Sequence, residues 1–330
     1  MSYLYITENG AVMSISGGYF EVSYKDGMLY KISKETLESV AIFGNVNITV
    51  PCIHEILSRG IPVSYFSTRG AYYGSLDSTG HKNISRLKFQ IYRSDDERFS
   101  LELGRSIIDS KINNQLVILR RYSHGKDLEE KYERIKQMKN KLPCAATTEE
   151  LIGYEGAAAK AYFEGLAEVI DADFAFSGRN RMPPKDPFNS CLSFGYTLLL
   201  YEIYGEIENK GLTPYCGFIH ADRERHPTLA SDLMEEWRSV IVDSVVLSLI
   251  QGHELHKDQF IRDEETGGVY LSREAMRLFL KKYENKLRTE VTYLEGKRMS
   301  LRRCLWHQVN ALVNAIEDNS LQIYAPVAIR

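Results

Sequence analysis

Tryptophan is scarce in this chain of 330 residues, with two copies, and cysteine is little better represented, with five. Cys52, Cys144, Cys191, Cys216 and Cys304 are odd in number and far apart, and no two have C-x-x-C spacing. That pattern argues against both a thiolate zinc site and a disulfide framework. Long apolar runs are missing as well. The richest, Val240 to Ile250, is interrupted by Asp243 and falls short of the ~20 residues that a membrane-spanning helix needs. No G-x-G-x-x-G or Walker sequence occurs, so nucleotide binding through such loops is not expected. Net charge is also small, −3 from 41 Lys plus Arg and 44 Asp plus Glu. This excludes a protein coated in positive charge but leaves room for a local basic track. The start, Met1-Ser-Tyr-Leu-Tyr, lacks a basic stretch followed by an apolar one, so neither a signal peptide nor a membrane span is expected, and the expected location is cytoplasmic.

What is present is an ordinary globular mixture, 44% apolar and 26% charged, which excludes fibrous, disordered and mucin-like classes. The length suggests two domains. Residues 1–80 read as short strands: Leu4–Ile6, Tyr19–Tyr24, Met28–Ile32, Ser39–Phe43, Ile61–Phe66 and Ala71–Leu76 are rich in aromatic and β-branched types, with Asn9-Gly10, Gly17-Gly18 and Asp26-Gly27 as turns. One helix follows Pro51 and stops at Gly60, and the βαβ rhythm of a dinucleotide-binding domain never develops. From Lys82 to Lys141 there are fifteen Lys plus Arg against nine Asp plus Glu. This segment reads either as a helical hairpin whose basic face meets phosphates or as a solvated pair of mixed-charge helices. The remainder reads as helical. Thr147-x-x-Glu150 is a capping box for a helix running toward Ile170, and Asn189 or Ser190 caps a second that ends near Gly211. Thr228 opens a third that reaches about Ile250, Ser272 a fourth, and a fifth runs from about Ser300 through Ile316. The expected fold is therefore two-domain α+β: a small N-terminal all-β domain, 1–80, and a large C-terminal all-α domain, 81–330, that carries the chemistry.

The segment from Gly217 to Arg238 is the most informative. His220 ends a short apolar stretch, a polar turn follows, and Asp232 and Glu235 lie three apart on the helix opened by Thr228, hence on one face near apolar 229, 233, 234 and 237. Glu236 is expected to face water or to pair with a base. Glu155, followed by Gly156 and three alanines, lies on a helix with a thin face against which another helix can close, and an acid there is costly unless paired. Spacing alone leaves two readings open. One is a hard-cation site of Glu155, His220 and Glu235; the other is a histidine that caps or packs beside the Thr228 helix, with acids enriched in its first turns. Glu164 and Glu168 read as surface pairs, His226 as a DNA contact or simply a turn residue, and His253 and His256 as lacking H-E-x-x-H spacing. Lys297, Arg298, Arg302 and Arg303 form a basic cluster beside Leu301, Leu305 and Trp306, suited to packing or to phosphate contact.

Three motifs, the helix around Tyr-Glu155-Gly-Ala-Ala-Ala-Lys, the loop Arg179-Asn-Arg181-Met-Pro183-Pro184-x-Asp186-Pro187-x-Asn189, and the His220 turn, resemble in sequence and order the CRISPR spacer-acquisition integrase family, over essentially the whole chain. The resemblance implies metal binding by Glu155, His220 and Glu235, with Glu235 where many relatives have Asp. Asp232 matches a supporting acid, and Thr228 and Trp237 replace the usual Ser and Phe with cap and apolar contact kept. Also implied are Mg²⁺ or Mn²⁺ as cofactor, double-stranded DNA as substrate, a homodimer paired through the N-terminal domains, and a small ferredoxin-like companion bridging two dimers. The implied reaction joins DNA 3′-hydroxyls into the CRISPR array by phosphodiester exchange, with side DNase activity, in a system of type I flavour. Candidate DNA contacts are Arg179, Arg181, Lys185, Asn189, Arg223, Arg225, Arg238, Arg298 and Arg302. A metal-dependent repair or invader-degrading nuclease and a non-catalytic nucleic-acid scaffold are the alternatives.

Overall fold

The computed structural model describes residues 2–123, 125–293 and 296–329. The chain divides into two compact units, Met1–Lys82 and Asn83–Arg330.

In the first unit the strands are β1 (Ser2–Ile6), β2 (Val12–Ser16), β3 (Tyr19–Ser23), β4 (Leu29–Ser33), β5 (Leu37–Phe43), β6 (Asn47–Ile48), β7 (Val63–Phe66) and β8 (Tyr72–Leu76), with helix α1 (Val50–Ser58) between β6 and β7. Among the described residues they form two four-stranded sheets, ordered β1-β5-β7-β8 and β4-β3-β2-β6. Leu4, Ile6, Met13, Phe20, Val22, Val40, Ile42 and Val63 alternate into a shared core, closed by Cys52 and Ile56 of α1. The expected all-β character needs correction. β5 and β7 pair in parallel across the α1 connection, and β1 and β5 are parallel as well, so the unit contains a single βαβ crossover. β2 escaped the sequence reading because Val12-Met-Ser-Ile-Ser16 is short and half polar.

The second unit is mostly helical: α2 (Ile84–Ser94), α3 (Glu97–Tyr122), α4 (Glu129–Lys141), α5 (Thr148–Val169), α6 (Pro187–Asn209), α7 (Thr228–Met234), α8 (Ser244–Gln251), α9 (Arg273–Arg288) and α10 (Leu301–Asp318). It is not all-α. β9 (Phe260–Arg262) pairs with β10 (Val269–Leu271), and β11 (Glu290–Tyr293) with β12 (Lys297–Ser300), both antiparallel. These strands are three or four residues long, and three of the four carry charge, so there is too little for alternation to show. α3 is the buried centre of the unit. Leu103, Ile107, Ile108, Ile112, Ile118 and Leu119 face its core, together with Lys111, Asn114 and Gln115, so the stretch expected to be a helical pair, basic-faced or mixed in charge, holds a core helix flanked by two surface ones.

Local chemistry accounts for most of the helix ends. Thr147, Ser272 and Ser300 accept the backbone N–H three residues on and start α5, α9 and α10. α6 starts earlier than the sequence suggested: Asp186 is its cap, accepting from Asn189 N, and Pro187 sits in the first turn. Nor is Thr228 a cap, since its hydroxyl donates to His226 O and Pro227 occupies the cap position. The single long helix expected from Thr228 to Ile250 is broken. After Met234 the chain tightens, widens into a π-helical turn over Arg238–Asp243, and resumes as α8. No described helix is long and apolar enough to cross a membrane.

Candidate active site

Six segments of the second unit converge on one cavity of about 410 Å³: the middle of α3, α5 from Ile152 to Phe163, the loop at Arg179 and Arg181, α6 at Tyr196, the turn from His220 to His226, and the stretch from Ser231 in α7 to Arg238. Glu155, His220 and Glu235 all line it, with Lys111, Arg179, Arg181, Arg223 and Arg238. Beside Glu155, α5 turns Gly156 and Ala157 outward while Ala158 packs inward: a methyl added at Gly156 would meet nothing within 4 Å. This corrects the expectation of tight closure against that face. The close approach lies further along, where a methyl on Gly165 would stand 2.8 Å from Leu119 of α3. The open face instead floors a second cavity of about 650 Å³ that shares Glu155, Ala159, Phe163, Arg179 and Arg181 with the first.

Asp232 is almost fully buried and has no freedom to bind an ion. Its Oδ2 accepts the N–H of Phe218 at 2.7 Å and of Ile219 at 2.9 Å, while Oδ1 accepts the N–H of His220 at 3.2 Å and meets the His220 Nδ1 at 2.6 Å. Opposite a carboxylate, Nδ1 carries the ring proton and Nε2 is left for another partner. The same hydrogen bond raises the imidazole pKa, against the opposing effect of burial. Gly217 makes the approach possible, because a Cβ there would lie 2.8 Å from Asp232 Oδ2 and 2.5 Å from Thr228 Cγ2.

The two glutamates share a cation. Lys111 Nζ donates to both Glu155 Oε1 and Glu235 Oε2, and its side chain is 6% exposed against 15% and 4% for theirs. Arg238 Nη2 closes on the other oxygen of Glu235 at 3.1 Å. Burial alone would raise the Glu235 carboxyl, but Arg238, Lys111 and His220 outweigh it and hold the group well below the usual carboxylate range. Arg238 is held in turn from behind. Its guanidinium and that of Arg179 lie 5.2 and 5.4 Å from the centre of the Tyr196 ring, and Tyr196 and Tyr162 both donate to buried Asp243. The Nε atoms of Arg179 and Arg238 are buried without a hydrogen-bond partner among the described residues.

The sequence reading missed Lys111, although a lone lysine at a core position, flanked by Ile107, Ile108 and Ile112, was a visible signal. It also misplaced Glu236, which is fully buried and accepts from Tyr324 Oη and from Val327 N at 2.7 Å in the C-terminal segment. Two candidate DNA contacts face the protein interior. Arg302 is locked between Glu202 and Glu284, and Asn189 is spent on Arg179, Asn180, Gly178 and Asp186, which fixes the 178–186 loop. Lys185 donates to Thr266 O, exposed Arg298 pairs with Glu290, and Arg181, Arg223 and Arg225 are exposed. Among the described residues no three His, Cys, Asp or Glu side chains stand close enough to hold a metal ion as they are, and Lys111 bridges the two carboxylates.

Fold and site together define a mostly helical α+β protein with two buried acids and an imidazole on the floor of a cation-rimmed cavity. The family model described as CRISPR associated protein Cas1 matches residues 4–285. A Mycobacterium tuberculosis protein named CRISPR-associated endonuclease Cas1 is 36% identical over 319 residues, 96% of this chain and 94% of that one. A Thermus thermophilus protein named CRISPR-associated endonuclease Cas1 3 is 36% identical over 330 residues, 99% and 97% of the two chains. Among solved structures, a chain of a Cas6-RT-Cas1–Cas2 complex superposes with a TM-score of 0.86 at 27% identity, covering 100% of this chain and 36% of that longer one. The chain belongs to the Cas1 family of CRISPR-associated endonucleases.

Proposed function

We propose that this chain is a metal-dependent DNA integrase of CRISPR adaptation, which joins the 3′-hydroxyl ends of short double-stranded DNA into the leader-proximal repeat of the array. The observation that carries the reading is the meeting of Glu155, Glu235 and His220 on one cavity whose other walls are cationic. Two carboxylates that already share a cation, beside an imidazole nitrogen freed by its partner Asp232, form a donor set that fits Mg²⁺ or Mn²⁺. An ion held by Glu155, His220 and Glu235 would neutralise charge at the scissile phosphate and stabilise the in-line transition state. Asp232 fixes the tautomer and direction of His220 without touching substrate. Arg179, Arg181, Arg223 and Arg238 draw the DNA backbone into the cavity, and the incoming 3′-hydroxyl displaces the array strand's own 3′-oxygen, so one phosphodiester replaces another and no nucleotide is consumed. Water in place of that hydroxyl gives the side DNase activity.

The relatives support the wider assembly. A Cas1–Cas2 complex is among the similar structures, consistent with a small ferredoxin-like companion bridging two homodimers. Leu29 and Tyr30 on the edge strand β4, both more than half exposed, suit pairing of the N-terminal units with a second copy.

The test is Mn²⁺-dependent joining of a short duplex into a supercoiled plasmid carrying leader and repeat, with the companion subunit present. Joining is expected from wild type and loss of at least ~10²-fold from Glu155→Ala, His220→Ala and Glu235→Ala. Nicking without joining would favour a nuclease that uses water alone, and joining that survives all three substitutions would exclude the site.

A further inference from the structure

Lys111 is a feature of the cavity that a plain ion-binding pocket does not need. Its stem is packed among the core residues of α3 and its ammonium lies between Glu155 and Glu235, with little exposure to water. Arg238 takes the remaining oxygen of Glu235, and the Asp232 carboxylate is committed to His220 and its turn. Lys111 and Arg238 therefore balance the charge of Glu155 and Glu235, and the cluster is closed as it stands. A divalent ion placed on the same oxygens would sit within a few ångströms of an ammonium, and like charges at that range in a buried site strongly oppose one another.

We propose that Lys111 is a built-in counter-cation, which holds the carboxylate pair in the ion-free protein and gives up that place only when an anion enters the cavity to receive its ammonium. The inference rests on the metal-site reading above and deepens it. The anion is a DNA phosphate, since the same cavity is walled by Arg179, Arg181 and Arg238 and shares Glu155, Arg179 and Arg181 with the larger one. A phosphate that draws Lys111 away from the glutamates vacates the ion's position, so ion and DNA bind cooperatively. Thermodynamic reciprocity then requires the ion to tighten DNA binding by the same factor. In the absence of DNA the site holds metal weakly and stays catalytically closed. Lys111 acts as a positioning residue before the chemistry, and its role is read in binding rather than in turnover.

The experiment measures Mn²⁺ affinity by electron paramagnetic resonance on the full chain, with and without a short duplex whose 3′ ends are dideoxy-blocked. Wild type is expected to bind Mn²⁺ about tenfold or more tightly with the duplex than without it. Lys111→Met keeps the packed stem and removes the charge; it is expected to bind Mn²⁺ about tenfold more tightly than wild type without DNA and to lose the enhancement by DNA. Lys111→Arg should keep the wild-type pattern. The unfolding temperature of Lys111→Met is expected to fall in chelator and to recover on adding Mn²⁺ by more than that of wild type. Equal DNA-free affinity in Lys111→Met and wild type overturns the inference, as does an absence of tightening by the duplex in wild type, a result that requires no variant. Glu155→Gln separates the two readings. If it abolishes Mn²⁺ binding while Lys111→Met changes nothing, the metal site stands and the counter-cation role falls; if wild type binds no Mn²⁺ even with the duplex, both fall.

Discussion

Asp232 receives four hydrogen bonds on two oxygens, three from consecutive backbone N–H groups and one from the His220 ring. An amide in its place keeps one accepting oxygen and turns a donor toward groups that also donate. Asp232→Asn should therefore let the His220 turn rotate. The expected loss is about 10–100-fold in metal affinity and in joining, the range seen when a ligand's orienting partner is removed. The pKa of His220 adds an independent readout. In the folded chain it is raised, chiefly by the Asp232 hydrogen bond, so its contribution to stability is complete below the ordinary histidine value and is lost as pH rises through the folded value. An NMR titration of the His220 ring should show that elevation in wild type and its loss in Asp232→Asn; an unchanged titration would contradict the assignment of the proton to Nδ1. The three-residue spacing of Asp232 and Glu235 did place two acids together, but not their division of labour, because that depends on which amides and cations surround each one. Glu236 shows the same limit. Its partners lie 88 and 91 residues further on, and no local period reports them.

Glycine positions separate packing from access at the scale of the element. In α6, a methyl on Gly195 would fall 2.5 Å from Val242 Cγ1 and 2.9 Å from Phe279 Cζ, both core atoms. Gly195→Ala should cost about 1–3 kcal/mol by overpacking. In α5, Gly156 faces open space, and Gly156→Ala should leave stability unchanged or raise it by up to about 1 kcal/mol through helix propensity. Urea unfolding of the two variants decides between them, and equal destabilisation would mean that the face of α5 beside Glu155 is packed rather than open. The capped starts of α5, α9 and α10 were legible because a cap is a contact between residues three apart. The break between α7 and α8 was not. No Gly or Pro marks it, and what holds it is tertiary: Arg238 drawn onto Glu235 and Tyr196, and Asp243 onto Tyr162 and Tyr196. The hairpins β9–β10 and β11–β12 were hidden for a related reason, since strands of three or four residues are fixed by their neighbours rather than by their own alternation.

For the whole molecule, the change in composition near residue 80 reflects two cores with different periods. The first unit fills its interior from alternating strand residues between Leu4 and Val63. The second does so from helices arranged around α3, and every group assigned to the site, Lys111, Glu155, His220, Asp232, Glu235 and Arg238, belongs to it. The strand-rich and helix-rich stretches were readable as a change of period, while the site was readable only in part, since Lys111 reaches it from a helix that sequence alone suggested for the surface. Separate production of the pieces tests whether each core suffices. Residues 83–330 should unfold in one cooperative thermal transition and should show the same DNA-enhanced Mn²⁺ binding as the full chain, because every residue proposed as a ligand or counter-cation belongs to them. Residues 1–82, with two small sheets and one helix, should also fold, but with the lower stability of a chain that buries a smaller share of its surface. Calorimetry on both pieces, with Mn²⁺ titration of the longer one, makes the comparison. A longer piece that folds cooperatively yet binds Mn²⁺ about tenfold more weakly than the full chain would show that the first unit shapes the site, and independent cores would no longer describe the protein.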